Sequence, residues 1–324
     1  MSSENAMTVA VTGSTGFVGR HTVRALADRG TTVRALYRNR DKARTTLPEA
    51  SVEPVQGDVL DPASLDQLLE GCQAVVHTVG IIREREPSDF QHMHVRAVRN
   101  VIEAAERAGV SRMVHISALG VRPDAPTAYQ RSKYDGEMLV RRSGLDWTIF
   151  RPSLIHGHDG EFVQMVSDMA LGRMAPYVFM PYFANVDVNP PDLPKPVSAT
   201  VQPVAVQDVA GAVVAALGCN ETIGEVYPLG GSETLTWPEV LETIRDAHPL
   251  VTNKRRVVPV PAPLGKAVAE AARPLGLAAA LPFGASEPVM AAEDSVCSND
   301  KANRHFGFEP RPFRQAVEQY AAQL

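Results

Sequence analysis

Val9-Ala-Val-Thr-Gly-Ser-Thr-Gly-Phe-Val-Gly19 is the stretch whose reading decides the fold. The apolar run from Thr8 to Val11 predicts a buried parallel strand. It breaks at Gly13-Ser14-Thr15-Gly16-Phe17-Val18-Gly19 and becomes a helix, with Val18, Val23 and Leu26 at helical spacing. Strand, glycine-rich turn and helix form the setting in which such a loop receives a dinucleotide. The first glycine permits the sharp turn. The second lets backbone approach a pyrophosphate, and the third lets the helix close on the strand. Free N–H groups at the helix start then face the phosphates. The spacing is G-x-x-G-x-x-G, one residue longer than the common G-x-G-x-x-G, and the competing reading is a glycine turn with no ligand.

The alternation continues along the chain. Thr32–Tyr37 predicts a second strand, ended by Arg38-Asn-Arg40-Asp41-Lys42 with Asp41 as a helix cap. Ser51–Gln56 predicts a third, followed by Gly57-Asp58-Val59 and a helix capped by Asp61 with Pro62 at its first position. Ala74–Thr78 is a fourth strand, ending at Val79-Gly80. A long helix runs from Phe90 to Ala108 and stops at Gly109. Arg112–Ser117, a helix from Tyr129 to Arg142, and Asp146–Phe150 complete the pattern. The fold class is therefore α/β, a Rossmann-type doubly wound parallel sheet of about seven strands, with the ligand at the strand carboxyl ends. Residues 1–155 are expected to form the dinucleotide-binding domain, completed by about 202–230. Residues 156–204 and 231–324 are left for a smaller C-terminal substrate lobe.

Within that lobe, residues 174–204 are rich in proline and aromatics without a period, which predicts a long loop serving as a lid. Gln202–Val206 and Glu225–Leu229 read as strands, a helix runs from Asp208 to Leu217, and Thr236-Trp-Pro-Glu239 opens another helix. The apolar stretch Pro261–Pro282 reads as a core helical hairpin in preference to a membrane-surface helix.

Composition sets limits. The 324 residues carry 44% hydrophobic and 21% charged side chains, ordinary for a globular protein, and a net charge of −5 gives no general reason to expect nucleic acid. Cys72, Cys219 and Cys297 lack metal-ligand spacing and suggest buried thiols in a reducing compartment. A first strand within ten residues leaves no room for a leader, and no uninterrupted apolar run of about 18 residues exists, so a cytoplasmic location is expected.

Tyr129 and Lys133, four apart on one helix, face the same side. A cation beside a phenol favours the phenolate and would make Tyr129 a general acid/base nearer neutral pH. Ser117, at a strand end on the carboxyl edge, has a hydroxyl suited to a substrate oxygen. Against this stand an exposed Tyr–Lys pair and a strand-end serine bonded to backbone. His156-Gly-His158-Asp159 is too weak a pattern for a metal site, and no metal is expected. His92 and His94, two apart on a helix, face different directions.

Taken together, Thr12-Gly-Ser-Thr-Gly-Phe-Val-Gly19, Gly57-Asp58, Ser117, Tyr129 and Lys133 resemble the short-chain dehydrogenase/reductase superfamily. The resemblance implies that Tyr129 is the acid/base, that Lys133 also holds the nicotinamide ribose, and that Ser117 orients substrate. It puts Asp58 and Val59 at the adenine and Thr78-Val79-Gly80 along the cofactor backbone. Arg151-Pro152-Ser-Leu-Ile-His-Gly157, with Pro152 at the cofactor, and Val204–Ala210 look like the extended branch. His115–Gly120, Ser132–Glu137, Gly231–Thr236 and the tail from Pro282 to Tyr320 resemble the atypical group around the NADH:ubiquinone oxidoreductase accessory subunit. Many members of that group are thought to bind a nucleotide without turning it over.

Three functions follow: an oxidoreductase moving hydride between a nicotinamide and a carbonyl, alcohol or quinone-like substrate; a non-catalytic nucleotide-binding protein of a respiratory or other complex; and a nucleotide-sugar epimerase. The expected partner is a small-molecule substrate. Peripheral membrane or respiratory-complex contact and the oligomeric state stay open.

The second strand ends where an adenine ribose should lie. A site for NAD(H) usually places a carboxylate there. This chain places Arg38, with Arg40 and Lys42 just after, and Arg38 can fork onto a 2′-phosphate. NADP(H) is therefore expected over NAD(H), against the plainer reading of a solvated basic turn.

Overall fold

The computed structural model describes residues 7–86, 88–188, 193–277 and 281–324. Strands β1 (Thr8–Thr12), β2 (Thr32–Tyr37), β3 (Val52–Gln56), β4 (Ala74–His77), β5 (Arg112–Ile116) and β6 (Asp146–Pro152) join Glu225–Leu229 in one seven-stranded sheet. The order is Glu225–Leu229, β6, β5, β4, β1, β2, β3, with every neighbouring pair parallel. The helices that cover it are α1 (Phe17–Ala27), α2 (Arg40–Thr46), α3 (Pro62–Leu69), α4 (Ala97–Ala108), α5 (Ala128–Arg142), and, after α6 (Glu161–Leu171) in the lobe, α7 (Val206–Leu217).

Near-continuous apolar strands need cover on both faces, and strand alternation divides the side chains between two cores. Val9, Val11 and Val76 pack with Val23, Leu26, Val209 and Val213 on the α1/α7 face. Ala10, Val75 and Met113 pack with Leu65, Leu68, Val101 and Val140 on the α3/α4/α5 face. The doubly wound sheet of seven strands agrees with the sequence.

Several local expectations need correction. Asp41 does not cap α2; Asn39 does, its side chain accepting from the Lys42 N–H at 2.9 Å, and Asp41 lies in the first turn. The helix expected from Phe90 to Ala108 is split, with Gln91–Arg96 forming a π-helical turn before α4. Gly136 on α5 explains how that wider turn packs, because a Cβ there would overlap the His94 carbonyl. The Asp208 helix starts two residues earlier, at Val206, and the Asp208 carboxylate instead accepts from the Arg311 backbone at 3.0 Å and its Nε at 2.9 Å.

The stretch expected as a lid loop is largely a strand. Phe179–Asp187 pairs parallel with Arg256–Pro261 and antiparallel with Lys195–Val197, while residues 189–192 fall outside the described residues. Behind this sheet the lobe buries Val163, Val166, Met180, Phe313 and Val317 with Val240, Leu241 and Ile244 of α8 (Trp237–Ala247). The full capping box of Thr236 and Glu239 starts α8, as its sequence predicts.

Pro261–Pro282 is not a core hairpin over its described part. A single helix, α9 (Ala262–Ala272), turns Ala262, Gly265, Ala269 and Ala272 inward and leaves Leu264 and Val268 exposed. Its small residues face in because the Phe183 ring lies where a Cβ on Gly265 would go. Residues 278–280 of that expectation lie outside the described residues. All three cysteines are free thiols, yet only Cys72 is buried; Cys219 and Cys297 are half-buried.

Six histidines are buried among the described residues, His21, His77, His94, His115, His156 and His248, and four of them are pushed furthest from their ordinary pKa. Burial pushes His77 and His156 down to about 3 and His94 to about 2, and holds His115 well below its usual value. Unfolded, each would take a proton near pH 6.5. Stability is therefore full above that pH and declines as pH falls below it, by about 1 kcal/mol per pH unit for each histidine. Urea unfolding at pH 7.0 and 5.5 should show this loss, and His156→Gln should remove one histidine's share. An unfolding free energy that stays level over that range would contradict the burial of these rings.

Candidate functional site

At the carboxyl end of β1 the chain turns on Gly13, whose φ of +74° suits glycine and whose carbonyl accepts the Gly16 N–H at 2.9 Å. A Cβ on Gly13 would sit 2.7 Å from Thr78 Oγ1, and one on Gly19 would overlap the Gly13 carbonyl. Thr78 Oγ1 donates to the Thr12 carbonyl at 2.8 Å, and Ser14 Oγ donates to the Leu36 carbonyl at 2.6 Å. The loop is thereby tied to the ends of β4 and β2.

The start of α1 is left open. Gly16 offers no side-chain cap, no acidic residue lies in the first turn, and the N–H groups of Phe17, Val18 and Gly19 have no hydrogen-bond partner among the described residues. Backbone donors at a positive helix end, with no Cβ in the way, fit a pyrophosphate.

The turn from His156 to Gly160 braces this helix. Asp159 accepts from Arg20 Nε at 2.8 Å and lies 3.1 Å from His21 Nε2, while Gly157 and Gly160 leave space for the Phe17 ring. Among the described residues no group of three or more His, Cys, Asp or Glu is placed to hold a metal ion.

Arg38 follows β2 with its side chain 69% exposed, and its Nη1 lies 3.8 Å from Asp58 Oδ2. Asp58 Oδ1 accepts the Leu60 N–H at 2.9 Å, and the carbonyl of buried Val59 accepts from Asn100 Nδ2 at 3.2 Å. Thr78, Val79 and Gly80 follow β4. A Cβ on Gly80 would be 3.5 Å from Lys133 Nζ, which donates to the Ile116 carbonyl at 2.7 Å. Pro152 is buried at the end of β6, its carbonyl accepting the Leu119 N–H at 2.9 Å.

Lys133 is buried, and this pushes its pKa down to about 8 against the pull of Glu137. Tyr129 stands one turn earlier, edge-on to Phe90 at 5.8 Å and to His94 at 5.5 Å. The expected lowering of its pKa by Lys133 does not occur. Burial, followed by the Glu287 carboxylate, pushes it up to about 12, and Lys133 Nζ is turned to a carbonyl.

Ser117 has a partner that spacing did not disclose. Its Oγ donates to Glu137 Oε2 at 3.0 Å, and Glu137 has no exposed surface. Burial works to raise the Glu137 pKa, but bonds from Arg151 at 2.7 Å and Arg141 at 2.6 Å hold it below the usual carboxylate range.

The lobe supplies the remaining charges. Glu287, on α10 (Ser286–Ala291), pairs with Arg83 and accepts the Gly284 N–H at 3.0 Å. Glu293 accepts from Arg122 Nη2 and from Gln130 Nε2, both at 2.8 Å. The glycine loop, Thr78–Gly80 and Lys133 thus line the carboxyl edge of β1, β4 and β5, while Arg83, His94, Glu137 and Glu287 join the site unannounced by any spacing.

A nucleotide cradle at the carboxyl edge of a doubly wound sheet, with a buried lysine beside it, defines a dinucleotide-binding α/β protein. The family described as NAD(P)H-binding matches residues 13–171. A (4-alkanoyl-5-oxo-2,5-dihydrofuran-3-yl)methyl phosphate reductase of Streptomyces griseus is 33% identical over 70% of this chain and 69% of its own. The mitochondrial NADH dehydrogenase (ubiquinone) 1 alpha subcomplex subunit 9 of Dictyostelium discoideum is 28% identical over 73% of this chain and 62% of its own. A ceramide reductase of Caulobacter vibrioides is 38% identical over 48% of this chain, and the chain spans only 49% of that protein's length. The crystal structure of gox2253 is similar over 98% of this chain and 97% of its own, with 29% identity and a TM-score of 0.71. The chain belongs to the NAD(P)-binding Rossmann family of extended short-chain-dehydrogenase-like proteins, which includes reductases and epimerase-like folds. No helix among the described residues is long and apolar enough to cross a membrane.

Gly19→Ala tests the cradle. The added methyl must push α1 off the Gly13 carbonyl, so nicotinamide dinucleotide affinity should fall by about tenfold or more, with a loss of about 1–3 kcal/mol in stability. Calorimetric titration and urea unfolding read the two effects; unchanged affinity would separate this contact from cofactor binding.

Proposed function

We propose that this chain is an NADP(H)-dependent reductase that reduces a carbonyl or quinone-like group, with Tyr129 as the proton donor. The observation that carries the proposal is the juxtaposition of Lys133 Nζ with Gly80, one helical turn from Tyr129. A nicotinamide supplies the hydride. Lys133, fixed by the Ile116 carbonyl, binds the nicotinamide ribose at Gly80. Tyr129 is held protonated through the neutral range by burial and by Glu287, as suits a group that gives a proton to a forming alkoxide. Ser117 meets the substrate as an acceptor, because its own proton is engaged by Glu137. Thr78, Val79 and Gly80 follow the cofactor backbone, Val59 and Asp58 flank the adenine, and Pro152 closes the far side. A cytoplasmic location is part of this reading. The Streptomyces griseus relative, named as a reductase, supports the assignment of a reductase.

A second reading, a cofactor-binding subunit without turnover in a respiratory complex, is favoured by the Dictyostelium discoideum relative. Tyr129→Phe divides the two. Reductase activity in a carbonyl and quinone screen should fall by about 10²–10⁴-fold while NADPH binding persists. Binding with no turnover by the unaltered protein would favour the subunit.

Arg38 is the proposed reader of the 2′-phosphate. Its guanidinium is exposed and only loosely paired with Asp58, so it is available to fork onto a phosphate. Arg38→Ala should weaken NADPH by about ten- to a hundredfold and leave NADH unchanged, as measured by paired fluorescence titrations. Equal wild-type affinities for the two cofactors would remove this assignment.

A further inference from the structure

His94 is buried and belongs to neither the glycine loop nor the Tyr129–Lys133 helix, yet it touches both sides of the reaction centre. The Ile81 N–H donates to His94 Nε2 at 3.1 Å. Nε2 is therefore unprotonated and the ring proton sits on Nδ1. From Nδ1 it is given to Ser132 Oγ at 2.8 Å, and Ser132 Oγ donates in turn to the Tyr129 carbonyl at 2.9 Å. The bonds run in one direction, from the backbone after Gly80 to the turn of α5 that carries Tyr129. No backbone–backbone hydrogen bond joins these two segments among the described residues.

The ring is also held by its neighbours. It stacks on Phe90 with centroids 5.2 Å apart and meets Tyr129 edge-on. The π-helical turn Gln91–Arg96 sets its height, and Gly136 lets α5 lie against its carbonyl. Such turns are rare and recur at functional sites. A Cβ on Gly80 would lie 3.8 Å from His94 Nε2 and 3.5 Å from Lys133 Nζ, so the two side chains flank the same residue. Burial, then the Lys133 charge, and finally His77 keep the ring neutral over the working pH range, and the Ile81 N–H, bonded to the unprotonated Nε2, favours the same neutral form.

We propose that His94 is a positioning residue, a single-tautomer bridge that holds the Gly80–Ile81 backbone in register with Tyr129 and Lys133. The proposal rests on the reductase reading for its effect on turnover, and not for its effect on geometry or cofactor affinity.

The test uses the full chain with His94→Phe, which keeps the stacked ring and removes both hydrogen bonds, and His94→Gln, which restores an acceptor for Ile81. NADPH affinity should fall by about ten- to a hundredfold in His94→Phe and return to within about threefold of wild type in His94→Gln. Turnover, where the wild type shows it, should follow the same order. The ¹H–¹⁵N signal of the Ile81 amide should move upfield in His94→Phe and return in His94→Gln, whether or not a substrate is found. Ser132→Ala, which cuts the second link alone, should lower kcat with NADPH affinity kept, and it serves where His94→Phe does not fold. Equal losses in the Phe and Gln variants that track thermal stability would overturn the proposal, as would an unmoved Ile81 signal. An active wild type with an unimpaired His94→Phe variant would overturn it while leaving the reductase reading intact.

Discussion

The α-carbon of Gly19 lies so close to the Gly13 carbonyl that no side chain fits between them. Everything at the nucleotide end depends on this contact. It lets α1 start directly above the end of β1, so that three uncapped N–H groups point into the cleft where the sheet diverges. Thr78 and Ser14 then fasten the loop to the neighbouring strands through backbone carbonyls, bonds that depend on register and not on any further charge. The cradle is thus backbone held by backbone. Its positive character comes from peptide dipoles.

The end of the site around Lys133 and Glu137 is built on the opposite principle, with ionisable side chains taken out of water. Glu137 is buried and stays ionised because two arginines and the Ser117 hydroxyl saturate its oxygens. Losing one partner there would strand a buried charge, so the cluster fixes β5, α5 and β6 to one another. Lys133, a turn before Glu137, makes no ion pair among the described residues, and burial lowers its basicity against the pull of Glu137. The stacked His77 and His115 rings, 5.4 Å apart, cannot both be protonated beside it. A strongly held anion and a weakened cation, four residues apart on one helix, keep the net charge of this interior low.

What the sequence makes legible follows the range of the interaction. The glycine loop, the parallel strands, the Asp61 and Thr236 caps and the Tyr129–Lys133 face all rest on residues within one turn or one strand of each other, and all are present in the structure. Asp41 is a plausible cap by residue type, but Asn39 takes the position because the helix begins at Arg40, two residues earlier than an Asp41 cap requires. The strand Phe179–Asp187 was hidden because its partner, Arg256–Pro261, is more than 70 residues away and both are interrupted by proline. Ser117 kept its place at the strand end, but its partner lies 20 residues on, and Glu287 and Glu293 come from a lobe whose return path no local pattern encodes. His94 faces away from His92, as their spacing implies; its contacts depend on a π-helical turn that helical periodicity averages away.

The two lobe carboxylates join the sheet and the lobe at the site. Glu293 is neutralised by Arg122 and hydrogen-bonded by Gln130, so its charge is spent on holding the lobe to the start of α5. Glu287 is paired with Arg83, which comes from the loop after β4, and its field nevertheless reaches Tyr129 and raises the phenol pKa. A negative charge opposite a phenol stabilises the protonated form and makes ionisation costly. Seating the lobe therefore adds to burial in favouring the protonated phenol of Tyr129. The protonation of this side chain depends on where the lobe rests as well as on the residues of the sheet.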